Sequence, residues 1–281
     1  MTGCVLTPEP ASQTPKTVPD ISESTKPTYI FEADWWLKPQ TYGMFNYWGD
    51  TSFSRLKATS CTVNGYRGVF DFDLKNPQFD YEKDIEEAHK EGLKYVIGIN
   101  FNGILDKWTE EVEGLASAGA CAVTYEGREA IEHGEGSVYY FSTNHPLWQE
   151  TLIEQARRIV DLDADGIAAI HPWGSSFYAA YGGRPDFSDA SLEGFRAYLK
   201  KRYSSQELSA RGISNLETFN YLGYLHNRGI SEVELESAPL YEDYREFQRE
   251  SALEFYQRFV SEVKEYARSK GADNFPVAPA N

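Results

Sequence analysis

The chain has 281 residues, of which 41% are hydrophobic and 15% aromatic, and its formal net charge is −16. This acidic balance argues against a nucleic-acid partner or a polyanionic ligand, because both are attracted by basic surfaces. The three cysteines, Cys4, Cys61 and Cys121, have no metal-ligand spacing and cannot all pair with one another. The sequence therefore predicts no disulfide framework and no metal site.

The first 27 residues differ in composition from the rest of the chain. Met1-Thr2-Gly3-Cys4 resembles the end of a bacterial lipobox, in which the cysteine receives a lipid after the signal peptide is removed. The Pro-, Ser- and Thr-rich stretch that follows is typical of a disordered tether. One interpretation is a lipoprotein N-terminus with membrane anchoring through Cys4, and the other is a flexible tail with an incidental cysteine. Ordered structure is predicted to begin near Thr28.

Ordered elements are expected to alternate along residues 28–281. Extended segments are predicted over 28–36, 42–50 and 68–73, and the alternation in the last places Asp71 and Asp73 on one face. The next predicted elements, in chain order, are a helix over 80–91 that ends at Gly92, a strand over 93–100, a helix over 108–118, a strand or lining segment over 120–126, and an aromatic strand over 139–141.

The second half of the chain continues this alternation. Residues 147–160 have the spacing of an amphipathic helix, and Gly166–Ile170 is an apolar run suited to a buried parallel strand. Helices are predicted over 188–203, 204–210, 216–225 and 241–270, and a further strand begins near residue 274. Strands that alternate with helices indicate an α/β fold with a parallel sheet.

These segments supply about five strand–helix units, whereas a TIM-type (β/α)8 barrel closes with eight. A parallel sheet of that size would leave an edge strand unpaired and apolar helix faces uncovered. We therefore expect residues 28–281 to form the N-terminal part of a TIM-type barrel in a protein that continues. A fragment that borrows a partner is the alternative.

Five segments resemble the catalytic barrels of bacterial glycoside hydrolases, closest to family-42 β-galactosidase-like and related secreted hydrolases. They are WGD (48–50), EEAHKEGLKYVIGINFNG (86–103), STNHPLWQETLIEQARRIVDLDADGI (142–167), HPWGSS (171–176) and SLEGFRAYLKKRY (191–203). The resemblance implies a (β/α)8 fold with a sugar site at the carboxyl ends of the strands. It also implies an acid/base carboxylate after the fourth strand, a nucleophile carboxylate after the seventh, and no cofactor. With the N-terminus, it predicts an extracytoplasmic protein, secreted or lipid-anchored, whose partner is a carbohydrate.

At the position of the first carboxylate, this sequence has His171-Pro172, and the position of the second would lie beyond Asn281. Glycoside hydrolysis ordinarily needs two carboxyl groups roughly 5–10 Å apart. His171 is the candidate catalytic residue, since a histidine can act as a general acid near neutral pH. Three interpretations stay open: a glycoside hydrolase acting on an extracellular oligo- or polysaccharide, a non-catalytic glycan-binding or degenerate hydrolase-like protein, and an inactive gene fragment.

Other polar and aromatic residues near predicted strand ends are candidates for substrate binding. Asparagine amides can both donate to and accept from sugar hydroxyls, and aromatic rings can stack on sugar faces. The alternatives are turn, helix-cap and packing roles, and Asn144 in particular is expected to cap the helix that follows it. The candidates are Trp48, Asp71, Asp73, Asn100, Asn102, Asn144, His145 and Trp173.

Overall fold

A parallel sheet with helices on its outer face organises the computed structural model of this chain. The structure describes residues 41–42, 61–64, 80–105, 109–133, 137–172 and 184–280, which belong to one compact unit, Phe31–Asn281. Several predictions fall outside the described residues, namely the tether over 1–27, the extended segments over 28–36 and 68–73, most of the segment over 42–50, and the residues Cys4, Trp48, Asp71, Asp73 and Trp173.

The described strands and helices follow one another along the chain. The strands are β1 (Thr41–Tyr42), β2 (Cys61–Asn64), β3 (Lys94–Asn100), β4 (Gly103–Leu105), β5 (Ile131–His133), β6 (Ser137–Tyr140), β7 (Gly166–Ile170) and β8 (Val277–Ala280). The helices are α1 (Tyr81–Lys90), α2 (Thr109–Ser117), α3 (Pro146–Asp161), α4 (Asp189–Arg202), α5 (Ser205–Ala210), α6 (Tyr221–Asn227) and α7 (Tyr241–Ser269), with a 3-10 helix at Glu232–Ser237.

The main sheet has the strand order β1-β2-β3-β7-β8, and every described pairing in it is parallel. Each strand adds beside the one before it, which is how the strands of a (β/α)8 barrel are arranged. Helix α3 connects β3 to β7, and the α4–α7 region connects β7 to β8. The strands predicted over 93–100 and 166–170 are confirmed, and the strand predicted from residue 274 begins at Val277.

A second, antiparallel sheet of order β4-β6-β5 lies between β3 and α3 in the chain. The sequence predicts an aromatic strand within it, at 139–141, but not the sheet as a whole. Residues 120–126 do not form a regular strand, because Cys121 and Val123 make only isolated bridges, to Phe141 and Glu129. This small sheet follows directly from the carboxyl end of β3.

Most helix boundaries follow the capping signals in the sequence. The Asp80 side chain accepts a hydrogen bond from Lys83 N at 3.1 Å at the start of α1, and Gly92 ends that region with a φ of +73°. The helix predicted over 216–225 begins instead at Tyr221, because Asn220 Oδ1 accepts from Gly223 N at 2.8 Å and caps it there.

The predicted cap of α3 is wrong. The N-cap residue is His145, which makes no side-chain capping bond, and Pro146 occupies the first turn. The Nδ2 atom of Asn144 instead donates to Ser191 Oγ at 2.8 Å. A bond to a residue of α4 therefore replaces the local cap that the sequence predicts.

Two hydrophobic clusters stabilise the fold, and α7 contributes to both. The outward-facing side chains of the parallel sheet, such as Ile97, Ile167 and Val277, pack in one cluster with Phe259 from the second half of α7. The first half of α7 packs in the other cluster, where Tyr244 meets rings from α4 and α6. Because successive side chains of a strand point to opposite faces of the sheet, the residues between these outward-facing positions lie on the inner face.

Candidate functional site

The inner face of the parallel sheet carries small side chains below a polar residue. Gly98, Ala168 and Ala278 lie side by side in register on β3, β7 and β8. Two positions further along, Asn100 pairs with Ile170 at the carboxyl ends of β3 and β7. Ligands of parallel α/β folds bind at this edge, and small residues beneath it leave room for them.

Asn100 and Asn102 lie together at the end of β3. The Asn100 side chain is buried, and its Oδ1 accepts a hydrogen bond from Asn102 N at 3.0 Å. The Asn102 backbone carbonyl accepts from Phe141 N at 2.8 Å. Asn102 as a whole residue is only 2% exposed, and in the described structure neither the oxygen nor the nitrogen of its side-chain amide has a hydrogen-bond partner.

His171 follows β7 and sits at the same edge. Phe101 N donates to Ile170 O at 3.0 Å, which holds the chain after β3 beside the end of β7. The backbone of His171 has a φ of +52°, a left-handed conformation that costs a non-glycine residue about 1–3 kcal/mol. Such strain is found at functional sites more often than elsewhere, so it motivates a functional hypothesis for this residue.

Burial lowers the pKa of the His171 imidazole below its ordinary value of 6.5. The ring is therefore predominantly neutral at pH 7, and a general-acid role at that pH is disfavoured. A neutral imidazole can still donate one hydrogen bond and accept another. The residues that directly follow β3 and β7 in the described part of the chain carry amides and an imidazole at this edge, and no carboxylate.

Asn144 lines a different feature, a groove between α3, α4 and α7. The groove has a volume of about 440 Å³ and is also lined by Gln149, Tyr198, Glu254 and Arg258. No described cavity contains both Asn144 and the asparagines of β3. The sequence grouped these residues because each follows a strand, and the structure separates Asn144 because the small antiparallel sheet intervenes.

His145, which follows Asn144 and is also a candidate for substrate binding, is half-buried at the N-terminus of α3. Its backbone N donates to Ser142 O at 3.0 Å, and its ring Nδ1 is buried without a hydrogen-bond partner. Helix N-termini favour groups that accept hydrogen bonds. The substrate contact that the sequence suggests for this ring stays a prediction.

Sequence reasoning missed a buried polar cluster behind Asn144. Its centre is Asp186, whose carboxylate accepts hydrogen bonds from Val123 N at 2.9 Å, Ser188 N at 2.8 Å and Ser191 Oγ at 2.6 Å. Burial raises the pKa of Asp186, and these hydrogen bonds oppose the increase. Its only sequence signal is Ser188, the N-cap of α4, whose side chain accepts from Ser191 N.

Other chemistry is not indicated by the described residues. No group of three or more His, Cys, Asp or Glu side chains among them is arranged to hold a metal ion. Burial raises the pKa of Cys121 to about 12, so this cysteine remains a thiol at neutral pH. In the part of the chain that the structure covers, no helix combines the length and apolar character needed to cross a bilayer.

The parallel sheet, with helices on one face and polar residues at the carboxyl edge, places the chain in the α/β class, and its fold is similar to the folds of two solved β-galactosidases. The β-galactosidase of Marinomonas ef1 superposes with a TM-score of 0.56 at 13% identity, covering 83% of this chain and 35% of that one. The β-galactosidase of Halorubrum lacusprofundi gives a TM-score of 0.54 at 14% identity, covering 81% and 33%. At such identities the likeness concerns the fold.

Two curated relatives share sequence with this chain, and both are α-agarases. The enzyme of Alteromonas agarilytica is 24% identical over 261 residues, which is 86% of this chain and 18% of the relative. The enzyme of Thalassotalea agarivorans is 36% identical over 96 residues, which is 31% of this chain and 6% of the relative. The chain thus spans at most 18% of the length of these relatives. No protein-family model matches it.

Proposed function

We propose that this chain belongs to a glycoside hydrolase that acts on a galactan of the agar type. The observation that carries the proposal is the similarity to an α-agarase over 261 residues, which include β3, β7 and the loops that follow them. The fold supports it, because polar residues meet at the edge of a parallel sheet where the substrates of such enzymes bind.

In this proposal, the glycan lies across the carboxyl ends of the parallel strands. Asn100 and Asn102 would offer amides to its hydroxyls, and neutral His171 would exchange hydrogen bonds with it near the reacting bond. The further contacts are those predicted from the sequence: Trp48 and Trp173 as stacking rings, and Asp71, Asp73, Asn144 and His145 as polar contacts.

The finer proposal concerns the extent and location of the domain. We propose that residues 28–281 supply about five strand–helix units of a family-42-like (β/α)8 barrel and that the remaining units complete it. A cavity of about 300 Å³ beside β8 supports this arrangement, because it is lined by apolar groups of Pro172, Leu253, Tyr256 and Pro279. A following unit would cover such groups. Residues 1–27 would form an extracytoplasmic tether, lipidated at Cys4.

A second candidate function is glycan binding without hydrolysis. The observation that favours it is His171, which stands where the resemblance implies a carboxylic acid and whose lowered pKa keeps it neutral. A site that retains amides and rings but lacks a paired acid can hold a sugar without cleaving it. Both candidates predict that the protein binds the glycan, and only the hydrolase cleaves it.

One experiment separates these candidates. The purified 281-residue chain and its His171→Asn variant would be mixed with agar-derived oligosaccharides, and with cello-oligosaccharides as a control. Calorimetry would measure binding, and the appearance of reducing ends would measure cleavage. Cleavage that His171→Asn reduces at least tenfold supports the hydrolase. Binding with no cleavage, by this chain and also by a protein that includes the proposed remaining strand–helix units, supports the glycan-binding protein. Neither binding nor cleavage of the agar-derived sugars contradicts both candidates.

A further inference from the structure

The groove between α3, α4 and α7 differs from the other described cavities in its polar groups. In the cavity of about 620 Å³ between α3 and α7, most of the lining charges pair with one another, as Arg157 does with Glu262 at 3.2 Å. The cavity beside β8 is lined almost entirely by apolar groups. In the groove of about 440 Å³, the exposed side chains of Lys201, Glu250 and Glu254 have no hydrogen bond or ion pair with any described residue.

Small residues of α4 form one long wall of this groove. Ala190, Gly194 and Ala197 recur on one face of the helix, and Lys201 follows them on that face. The stretch from Ala190 to Lys201 extends over about 16 Å. A groove of this length and volume suits a short oligosaccharide, since small-molecule sites have volumes of roughly 300–1,000 Å³.

Helix α7 forms the opposite wall, on which Glu250 and Glu254 lie one helical turn apart. The rings of Phe247 and Phe255 also line the groove, but both residues are buried. A ligand in the groove therefore meets charged and polar groups rather than exposed apolar area. An apolar helix of a partner protein would bury little apolar surface by docking here.

A fixed amide lies where the groove meets α3. Asn144 Nδ2 donates to Ser191 Oγ at 2.8 Å, and no described hydrogen bond reaches Asn144 Oδ1, so the oxygen is the atom that this amide offers to a ligand. Gln149 also lines the groove, and its Nε2 donates to Thr143 O at 2.6 Å while its Oε1 accepts from Arg258 Nη2 at 2.8 Å. These bonds hold this end of the groove in one arrangement before a ligand binds.

We infer that this groove is a second glycan-binding site, separate from the carboxyl edge of the sheet, which holds the same agar-type galactan. The inference rests on the proposed function for the identity of the glycan. Asn144 Oδ1 and the carboxylates of Glu250 and Glu254 accept from sugar hydroxyls, and Lys201 Nζ donates to a hydroxyl or ring oxygen. A neutral sugar offers many such groups, whereas two unpaired carboxylates against one ammonium disfavour an anion.

The second site is complete within the described chain. Its lining residues belong to α3, α4 and α7, together with Asn144 just before α3. The cavity beside β8, which the proposed following unit would cover, is lined by Ala252, Leu253 and Tyr256 on the other side of α7. Completing the barrel there leaves the groove open, so the 281-residue chain tests the inference directly.

Ala197→Trp tests the groove, because Ala197 is exposed and an indole there fills the space along α4 without entering the core. Calorimetry with agar-derived oligosaccharides would compare it with Ala210→Trp, the same change at an exposed position of α5 outside the groove. Both variants would also carry His171→Asn, which weakens binding at the edge of the sheet. We expect Ala197→Trp to lower the affinity at least tenfold and Ala210→Trp to leave it within about twofold.

A second pair of variants covers the case in which Ala197→Trp does not fold. Lys201→Ala removes a donor of the groove and should lower the affinity at least threefold. Its matched control is Lys200→Ala, because Lys200 is the preceding lysine of α4 and lies outside the groove, 3.5 Å from Glu217.

The outcomes distinguish failure of the inference from failure of the proposed function. If Ala197→Trp and Ala210→Trp bind the oligosaccharides equally well, the inference is wrong, and the effect of His171→Asn alone still tests the proposed site. If His171→Asn alone leaves binding unchanged while Ala197→Trp abolishes it, the proposed site at the edge of the sheet fails and the groove stands. A wild-type chain that binds none of these sugars overturns the inference, since the groove is complete in this chain, and contradicts the proposed function as well.

Discussion

Ser191 Oγ donates a hydrogen bond of 2.6 Å to the carboxylate of Asp186, and both side chains are fully buried. Because a serine hydroxyl has one proton, this bond leaves Ser191 Oγ to accept from Asn144 Nδ2, at 2.8 Å. The Asn144 amide is therefore oriented with its nitrogen toward Ser191. Asp186 thus fixes the orientation of an amide 42 positions away through one intervening hydroxyl.

Ser191→Ala should destabilise the protein by about 1.5–3 kcal/mol, since it removes a hydrogen bond to a buried carboxylate and leaves Asn144 Nδ2 without its acceptor. Denaturant unfolding measures this loss. The matched control is Ser209→Ala, which makes the same change on the exposed face of α5. We expect that control to stay within about 0.5 kcal/mol of the wild type. Equal effects of the two changes would mean that the buried cluster contributes nothing.

The packing of α4 on α7 depends on a glycine. A Cβ atom at Gly194 would lie 2.7 and 2.8 Å from the Cζ and Cε2 atoms of Phe247, a ring that is buried and in contact with Phe195 and Tyr244. We expect Gly194→Ala to destabilise the fold by about 1–3 kcal/mol through overpacking.

Gly114 provides the opposite case for the same substitution. It lies within α2, and a Cβ built there meets nothing within 4 Å. Gly114→Ala should therefore stabilise the protein by up to about 1 kcal/mol, because alanine has the better helix propensity. Thermal unfolding of both variants measures the two effects, and shifts of the same sign would contradict the close contact at Gly194.

Asp165 joins the beginnings of β3 and β7 to the end of α1. Its carboxylate lies 2.7 Å from His89 Nε2 and 2.5 Å from Lys94 Nζ, and it accepts from Tyr95 N at 2.8 Å. Asp165→Asn should cost about 1–2 kcal/mol, less than a fully buried group would, since Lys94 and His89 are partly exposed. The cost should shrink in 1 M salt, because exposed charge pairs are screened there.

Asp163 is the control for that experiment, because the same change can be made two positions away. Asp163 is exposed and has a φ of +62°, a left-handed conformation that asparagine tolerates. Asp163→Asn should leave the free energy of unfolding within about 0.5 kcal/mol of the wild type at either salt concentration. If Asp163→Asn lowers the free energy of unfolding as much as Asp165→Asn does, the effect comes from the change in net charge and not from the contacts of Asp165.

The sequence predicts those parts of the fold that local patterns determine. The apolar runs of β3 and β7 and the capping box of Ser204 and Glu207 are read correctly, because each depends on neighbouring residues. The start of α3 is not, because Asn144 bonds to Ser191, 47 positions away, rather than to the nearby backbone.

In the candidate site, too, some features can be predicted from the sequence and others appear only in the structure. The apolar run of β3 places Asn100 at the end of a strand, and the pattern alone is enough to find it. The unpaired amide of Asn102 and the left-handed backbone of His171 depend on what surrounds these residues in three dimensions. No spacing rule reports either feature, so the sequence names both residues without indicating the chemistry that distinguishes them.

His171 should make stability depend on pH in a particular direction. Burial lowers its pKa in the folded protein below the value of about 6.5 that it has when unfolded. Between these two values the unfolded chain binds more protons, so the free energy of unfolding decreases as the pH falls below about 6.5. His171→Asn removes the titrating group and keeps a residue that tolerates the left-handed backbone.

Urea unfolding at pH 7.5 and 5.5 measures this contribution. We expect the loss of stability between the two pH values to be smaller in His171→Asn than in the wild type, while the two proteins unfold with the same dependence on urea. An identical loss in both would mean that His171 is as well solvated in the folded state as in the unfolded one. Its imidazole would then be partly protonated near pH 7, and a general-acid role for this residue would regain its chemical basis.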